Sequence, residues 1–182
     1  MSIERWEIDS SRSRILFAVR HLVFSKTRGR FNRLSGTVMV PDGDLSRATV
    51  DVVIDASSID TGVARRDGHL RSADYLDVTR YPHITFTSCR VAVEPEERLR
   101  VVGALTIRGV TGEVALDVEP SGSSRDAGDV DRARFSATAA IDRRDFGFAG
   151  NPALDSDGIV IGERIDVEIE VEAVRQPAVR AA

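Results

Sequence analysis

The sequence is poor in the residues that build disulfide scaffolds and metal centres. It has one cysteine, Cys89, so no disulfide can form within the chain. Its three histidines, His21, His69 and His83, lack the four-residue spacing of metal ligands on a metalloprotease helix, and a single thiol cannot form a thiolate cluster. We therefore predict no metal site and a fold that is stabilised by its hydrophobic core.

Long apolar runs and an excess of positive charge are also missing. No stretch reaches the roughly 18 apolar residues of a membrane span, and the charged N-terminal segment lacks the apolar core of a signal peptide. These absences predict a soluble, cytoplasmic protein. The net charge of −4 and the 5% content of aromatic residues argue against nucleic acid as a partner. The 182 residues fit one domain, predicted over 1–175, with a disordered tail at 176–182.

Sequence motifs of common enzyme classes are absent as well. The chain has no Gly-x-Ser-x-Gly elbow, no phosphate-binding glycine loop and no dinucleotide-binding fingerprint. His69 could form a catalytic set with Asp67 and Ser57 or Ser72. A chain this rich in serine and aspartate offers such triples by chance, so we interpret His69 as a hydrogen-bonding tether. We predict no catalytic residue and no cofactor.

The dominant pattern is the alternation of apolar and polar residues that is typical of half-buried β-strands. In residues 164–172, for example, Ile165, Val167, Ile169 and Val171 alternate with charged residues. Similar segments recur along the chain with turn signals between them, which indicates consecutive antiparallel hairpins. About eight such strands suit an up-and-down barrel or a sandwich, and closure into a barrel removes the edges that invite aggregation.

Two segments depart from this alternation. Residues 58–76 carry apolar side chains at three-, four- and seven-residue steps, which predicts one helix, or two short ones broken near Gly62 or Gly68. We expect this insertion to cover an open end or the outer wall of the sheet as a lid. Residues 120–131 are rich in serine, glycine and aspartate and are predicted to form an exposed loop.

Candidate ligand contacts are the strand residues that share the inward parity. They are aliphatic or aromatic: Phe17, Val19, Phe31, Val38, Val50, Val52, Phe86, Leu105 and Phe135. A closed barrel of about eight strands can be filled by its own side chains or can hold one small ligand. Periodicity alone does not distinguish these two interiors.

Polar candidates follow the second predicted strand. His21 continues its inward parity and is either a buried histidine bonded to backbone or carboxylate, or an anchor for the polar head of a ligand. Arg28 and Arg30 share one face of a segment that also contains Phe24. They could hold a phosphate or diphosphate, or they could form a solvated outer face.

A series of short motifs extends over nearly the whole chain. They are Trp6-x-Ile8-Asp9, Phe17-x-Val19-Arg20-His21, RGRF at 28–31, IDASSIDTG at 54–62, RDGHL at 66–70, YPHITF at 81–86, GALTIRGVT at 103–111 and Ile141-x-Arg143-x-Asp145-Phe146-Gly147. In this order, and with the acidic terminal strand, they resemble the YceI-like family, the lipocalin-like polyisoprenoid-binding proteins.

The resemblance implies an all-β fold, an eight-stranded antiparallel lipocalin-like barrel with a helical insertion near residues 58–76. Its apolar interior is expected to bind or carry a long-chain isoprenoid or related lipid without catalysis. A hydrolase or isomerase that uses His21 is the alternative, and transient membrane contact and a homodimer stay open. Many relatives carry a signal peptide that this N-terminus lacks, which leaves the identity of the lipid open.

Overall fold

A computed structural model describes residues 1–21, 25–148 and 161–177, and it describes His21 and Ile161 by their backbone alone. These residues contain eleven strand segments, one α-helix and several short 3-10 turns. The helix, α1, is Ala64–Arg71. The strands are β1 Ile3–Ile8, β2 Arg14–His21, β3 Ser25–Phe31, β4 Leu34–Pro41, β5 Thr49–Asp55, β6 Ile59–Asp60, β7 His83–Val93, β8 Leu99–Ile107, β9 Val110–Arg125, β10 Asp131–Asp142 and β11 Ile161–Arg175.

The strands close into a single antiparallel barrel. The hydrogen-bonded order is β1-β4-β5-β7-β8-β9-β10-β11, and β1 also pairs with β11. β1 and β2 pair one after the other with β11 and together form one strand of the barrel. In the same way β3 continues into β4, and β5 continues into β6, which pairs with β3. When these interrupted strands are counted as single strands, the barrel has eight, and the predicted fold class is confirmed. No helix in residues 1–21, 25–148 or 161–177 has the length and apolarity to cross a membrane.

The two ends of the barrel carry different connections. At the α1 end lie the insertion between β6 and β7, the turn at Arg108 and Gly109 after β8, and the 3-10 turn Arg143–Phe146 after β10. At the opposite end, the terminal end, lie the N-terminus and the β4–β5, β7–β8 and β9–β10 turns. This arrangement follows from the antiparallel direction of neighbouring strands.

The insertion is less helical than predicted. Residues 59–60 are a strand paired with β3, and the helix spans only eight residues from Ala64 to Arg71. One reason is the Ser58 hydroxyl, which accepts hydrogen bonds from the backbone N–H groups of Asn32 and Arg33 at 3.2 and 3.1 Å and so holds this stretch to the barrel. The chain then turns through Gly62 at a φ of +78° before the helix begins.

The predicted loop over residues 120–131 is wrong for its first half. β9 continues to Arg125, and its last residues pair with the start of β10. The Oδ1 atom of Asp126 then closes a short turn by accepting bonds from the N–H groups of Gly128 at 2.9 Å and Val130 at 3.2 Å. Both faces of this β9 extension, residues 120–125, are exposed, so its sequence shows none of the apolar alternation that identifies a half-buried strand.

A buried carboxylate fastens the junction between β1 and β2 to the rest of the barrel. Glu172 of β11 is 6% exposed and lies 2.9 Å from the guanidinium of Arg132, which also contacts Asp9 at 3.2 Å. The hydroxyl of Ser13 accepts a hydrogen bond from the backbone N–H of Glu172 at 3.1 Å. Removal of one partner from such a network leaves a buried charge unpaired, so we expect the network to be important for stability.

Candidate ligand-binding cavity

The barrel encloses a cavity of about 660 Å³. This volume lies within the range of about 300–1,000 Å³ that is typical of small-molecule sites. All nine apolar residues predicted for the inner wall line it: Phe17, Val19, Phe31, Val38, Val50, Val52, Phe86, Leu105 and Phe135. The structure thus places them as predicted, and their contact with a ligand stays a prediction.

The interior is hollow rather than packed solid. Among the described residues, no large side chain has an exposed fraction below 2%. In a close-packed core, many side chains have no accessible surface at all. The wall residues of this barrel instead present one side to their neighbours and the other to the cavity, which answers the question that periodicity left open.

Two glycines keep phenylalanine rings against the wall. Gly29 of β3 lies directly opposite Phe17 of β2, and a Cβ atom added at position 29 would clash with the Phe17 ring. At Gly103 of β8, an added Cβ would lie 2.5 Å from the Phe86 ring. The rings therefore occupy the space above the glycines instead of projecting to the barrel axis, and this arrangement preserves the open volume.

The polar part of the wall lies at the α1 end. Across the described residues, the ionisable side chains that line the cavity are His69, Asp74, Tyr75, Arg108 and Arg143. They come from the insertion and from the two connections that follow β8 and β10. The rest of the described wall is apolar, so the cavity has one polar end.

The α1 insertion is held in place by its own polar contacts. The buried carboxylate of Asp67 accepts hydrogen bonds from the backbone N–H of Thr61 at 2.8 Å and from its hydroxyl at 2.6 Å. The Arg71 guanidinium donates to the backbone oxygens of Ser57 at 2.8 Å and Ile59 at 2.7 Å. His69 bonds Asp74 at 3.0 Å, in agreement with its interpretation as a tether.

Tyr75 is the exception to this pattern of satisfied polar groups. Its hydroxyl oxygen is buried and has no hydrogen-bond partner among the residues that the structure describes. The pKa of the Tyr75 hydroxyl is raised to about 12, chiefly because the group is buried; the Arg143 guanidinium opposes this shift, and the Asp74 carboxylate adds to it. The hydroxyl is thus a protonated donor at physiological pH, and a buried donor without a partner costs about 1–3 kcal/mol.

The predicted cationic clamp does not reach the cavity. Arg28 and Arg30 are exposed on the outer face of β3, because they alternate with the inward Gly29 and Phe31. Arg30 pairs there with Asp60 at 2.9 Å. This placement favours the alternative of a solvated outer face.

Two further sequence candidates fall outside the description. Phe24 lies outside the described residues, as does the side chain of His21, whose backbone ends β2. Their roles stay predictions.

Sequence reasoning missed the contribution of the connections to the wall. Leu70, Leu76 and Phe146 line the cavity beside the polar residues of the α1 end, and Leu45 does so from the β4–β5 turn. These residues do not follow a period-two pattern. The spacing of apolar residues in 58–76 predicted that the insertion covers an end or the outer wall of the sheet, but it did not show that Leu70 and Leu76 line the cavity.

Comparisons with known proteins agree with this geometry. The family model described as the YceI-like domain matches residues 6–173. The chain is similar to a protein named YceI from Shigella flexneri, with 36% identity over 160 residues that cover 88% of this chain and 80% of the relative.

Solved structures show the same fold. BcnA from Burkholderia cenocepacia has a TM-score of 0.77 at 20% identity, and the match covers 91% of this chain and 98% of that one. A polyisoprenoid binding domain from Saccharophagus degradans has a TM-score of 0.69 at 23% identity, with 92% and 97% covered.

Proposed function

This chain belongs to the YceI-like family, and from that premise we propose that its barrel binds a long-chain isoprenoid or related lipid and carries it without catalysing a reaction. The observation that supports the proposal most directly is the cavity of about 660 Å³ inside a closed barrel, since the wall formed by the described residues is apolar except at the α1 end. Such a space offers little to a polar metabolite. It suits a chain of methyl and methylene groups.

The volume sets the length of chain that fits. At about 30 Å³ for a group the size of a water molecule or a methylene, a cavity of this volume holds about 20 such groups. That number corresponds to a prenyl chain of four isoprene units.

The energetics favour burial as the source of affinity. Each buried methylene contributes about 0.8 kcal/mol, so even a dozen contribute about 10 kcal/mol before the cost of association. An exposed ion pair contributes about 0–1 kcal/mol. The apolar wall can therefore supply the affinity without the outer arginines Arg28 and Arg30.

The structural neighbour from Saccharophagus degradans, described as a polyisoprenoid binding domain, supports the same ligand class. The alternative of a hydrolase or isomerase needs an acid or base that faces a protected site. The His69–Asp74 pair is the histidine–carboxylate contact at the described wall, and its side chains are 43% and 74% exposed. This exposure supports a structural role for the pair.

The decisive experiment is mass spectrometry of lipids extracted from protein that has been purified without detergent. We expect a prenyl or other long-chain lipid in stoichiometric amount. A parallel sample should be stripped of lipid and incubated with vesicles that contain geranylgeraniol, a prenyl alcohol of four isoprene units. Protein that is empty on purification and takes up no prenyl lipid from the vesicles would contradict the proposal.

A further inference from the structure

Three cationic side chains lie close together on the outer face of the β2–β3 hairpin. Arg20 of β2 is directly opposite Lys26 of β3, and Arg28 lies two residues further along β3. All three residues are exposed, and they lie on the face opposite to that of Val19, which lines the cavity. Like charges in directly opposite positions of paired strands repel each other, so an anion bound between them would remove an unfavourable contact. We call Arg20, Lys26 and Arg28 the cationic cluster.

The cationic cluster has no carboxylate partner among the described residues, although most exposed arginines of the barrel form ion pairs with carboxylates. Asp60 and Asp166, on the strands that flank the hairpin, each pair with an arginine outside the cluster, at 2.9 and 2.7 Å. Glu113 lies on β9 and Asp145 follows β10, and neither of these strands pairs with β2 or β3. The described part of the protein thus leaves three positive charges side by side without neutralising them.

The cluster belongs to the end of the barrel that also carries α1. β1 begins at the terminal end, so β2, which continues the same barrel strand, ends at the α1 end. Arg65 of α1 is exposed there, and it too has no carboxylate partner in the described structure. In the β7–β8 turn of the terminal end, by contrast, Glu94, Glu96 and Glu97 are exposed and pair with no cation of the described chain. The barrel is therefore positive on the hairpin side of its α1 end and negative at this turn of its terminal end.

The cavity reaches the surface at the α1 end as well. Asp74 lines the cavity, and its side chain is 74% exposed. An exposure this high requires contact with bulk solvent in addition to the surface of the cavity. A lipid that leaves the barrel beside Asp74 therefore emerges at the same end as the positive charge.

We propose that the cationic cluster docks the α1 end of the barrel on an anionic lipid bilayer, where the bound lipid is exchanged. This inference rests on the proposed lipid-binding function, because a lipid carrier must meet a membrane at the end where its lipid leaves.

The chemistry of the cluster fits a layer of lipid phosphates. Guanidinium and ammonium groups donate charge-assisted hydrogen bonds to phosphate oxygens. The net charge of −4 and the glutamates of the β7–β8 turn repel the same surface, so the field of the bilayer orients the barrel with its α1 end inward. The outer face of the described hairpin carries no aromatic side chain on which bases could stack, which favours lipid phosphate over nucleic acid.

The test is sedimentation with sucrose-loaded vesicles in a buffer of low ionic strength. The wild type should bind vesicles of equal parts phosphatidylcholine and phosphatidylglycerol, and it should not bind vesicles of phosphatidylcholine alone. Each cation near an anionic membrane surface raises affinity about fivefold, so the triple variant Arg20→Gln, Lys26→Gln, Arg28→Gln should bind the anionic vesicles about a hundredfold more weakly.

The matched control is the triple variant Arg5→Gln, Arg98→Gln, Arg100→Gln, which removes the same charge from exposed positions toward the terminal end. Its affinity for the anionic vesicles should stay within about threefold of the wild type, because these positions face away from the bilayer. Equal binding of the wild type to both kinds of vesicle, or an equal loss in both triple variants, would overturn the docking role of the cluster. Tighter binding to a DNA oligonucleotide than to anionic vesicles in the same buffer would also overturn it.

A second measurement separates this inference from the proposed function. Geranylgeraniol added from ethanol should bind the wild type and the cluster variant equally, because the cluster lies outside the cavity. Equal binding also shows that the variant is folded, so its loss of vesicle binding then supports docking through the cluster. Wild-type protein that does not bind geranylgeraniol would overturn the proposed function, and with it the exchange of lipid at the docked end.

Discussion

Substitution of Gly29 by alanine tests whether the positions of the phenylalanine rings keep the barrel hollow. Gly29 lies opposite Phe17, and a Cβ atom there would clash with the Phe17 ring and approach the Cγ2 atom of Thr61 to 2.9 Å. The contacting atoms are the ends of side chains rather than backbone. The Phe17 ring can therefore move, and the available space is the cavity.

The expected magnitudes follow from this geometry. A displaced phenyl ring brings six carbon atoms into a space that holds about 20 groups of that size, which is nearly a third of the cavity. Overpacking of this kind costs about 1–3 kcal/mol of folding stability. We therefore expect Gly29→Ala to fold, to unfold at lower urea concentration than the wild type, and to lose most of its uptake of geranylgeraniol.

The assay combines urea unfolding with uptake of geranylgeraniol from vesicles. Gly68→Ala is the matched control, because a Cβ at this helical position meets nothing within 4 Å. The control should gain up to about 1 kcal/mol of stability with uptake unchanged. Adding Phe17→Leu to Gly29→Ala should restore uptake. Wild-type uptake by Gly29→Ala, together with the expected loss of stability, would refute the reasoning.

Three further predictions concern the wall, the buried carboxylate and acid stability. Phe86→Trp should reduce lipid uptake, whereas Val53→Trp on the exposed face of β5 should not. Uptake by Phe86→Trp equal to that of the wild type would show that Phe86 does not contact the lipid. Glu172→Ala should cost about 1–3 kcal/mol in urea unfolding, because it leaves the partly buried Arg132 without its closest carboxylate; an unchanged midpoint would refute this. Side-chain and backbone hydrogen bonds from Arg144 hold the pKa of Asp142 at about 2, so the stabilising effect of this carboxylate is present above a pH of about 4 and is lost as the pH falls to about 2. Asp142→Asn should therefore lower the Tm at neutral pH but leave it unchanged at a pH of about 2.

The strands of the barrel could be predicted from the sequence because each contributes one apolar face to the interior. The alternation at Ile165, Val167 and Ile169 reports this burial directly, and all three residues line the cavity. The β9 extension from Pro120 to Arg125 could not be predicted in the same way. It pairs with β10 beyond the region where a face is buried, so only backbone hydrogen bonds define it.

The apolar wall was predictable for the same reason, but the polar end was not. Tyr75 and Arg143 reach the cavity from connections, whose course depends on tertiary contacts such as the bond from Arg108 to the Tyr75 carbonyl. No period in the sequence encodes that contact. The inward parity of strand residues also could not show that glycines at 29 and 103 hold two phenylalanine rings aside, because this depends on which residues face each other across strands.

This division between strands and connections has a functional consequence. A polar side chain at an inward strand position would be buried without a hydrogen-bond partner, which is unfavourable for folding. The strands therefore carry apolar residues at these positions, and these residues set the length and width of the cavity. Polar contacts with a ligand are therefore expected from segments that lack this alternation, such as the insertion and the turn that carries Arg143. Substitutions that change the preferred head group are therefore expected in these connections, whereas substitutions that change the preferred chain length are expected at wall positions such as Phe17 and Phe86.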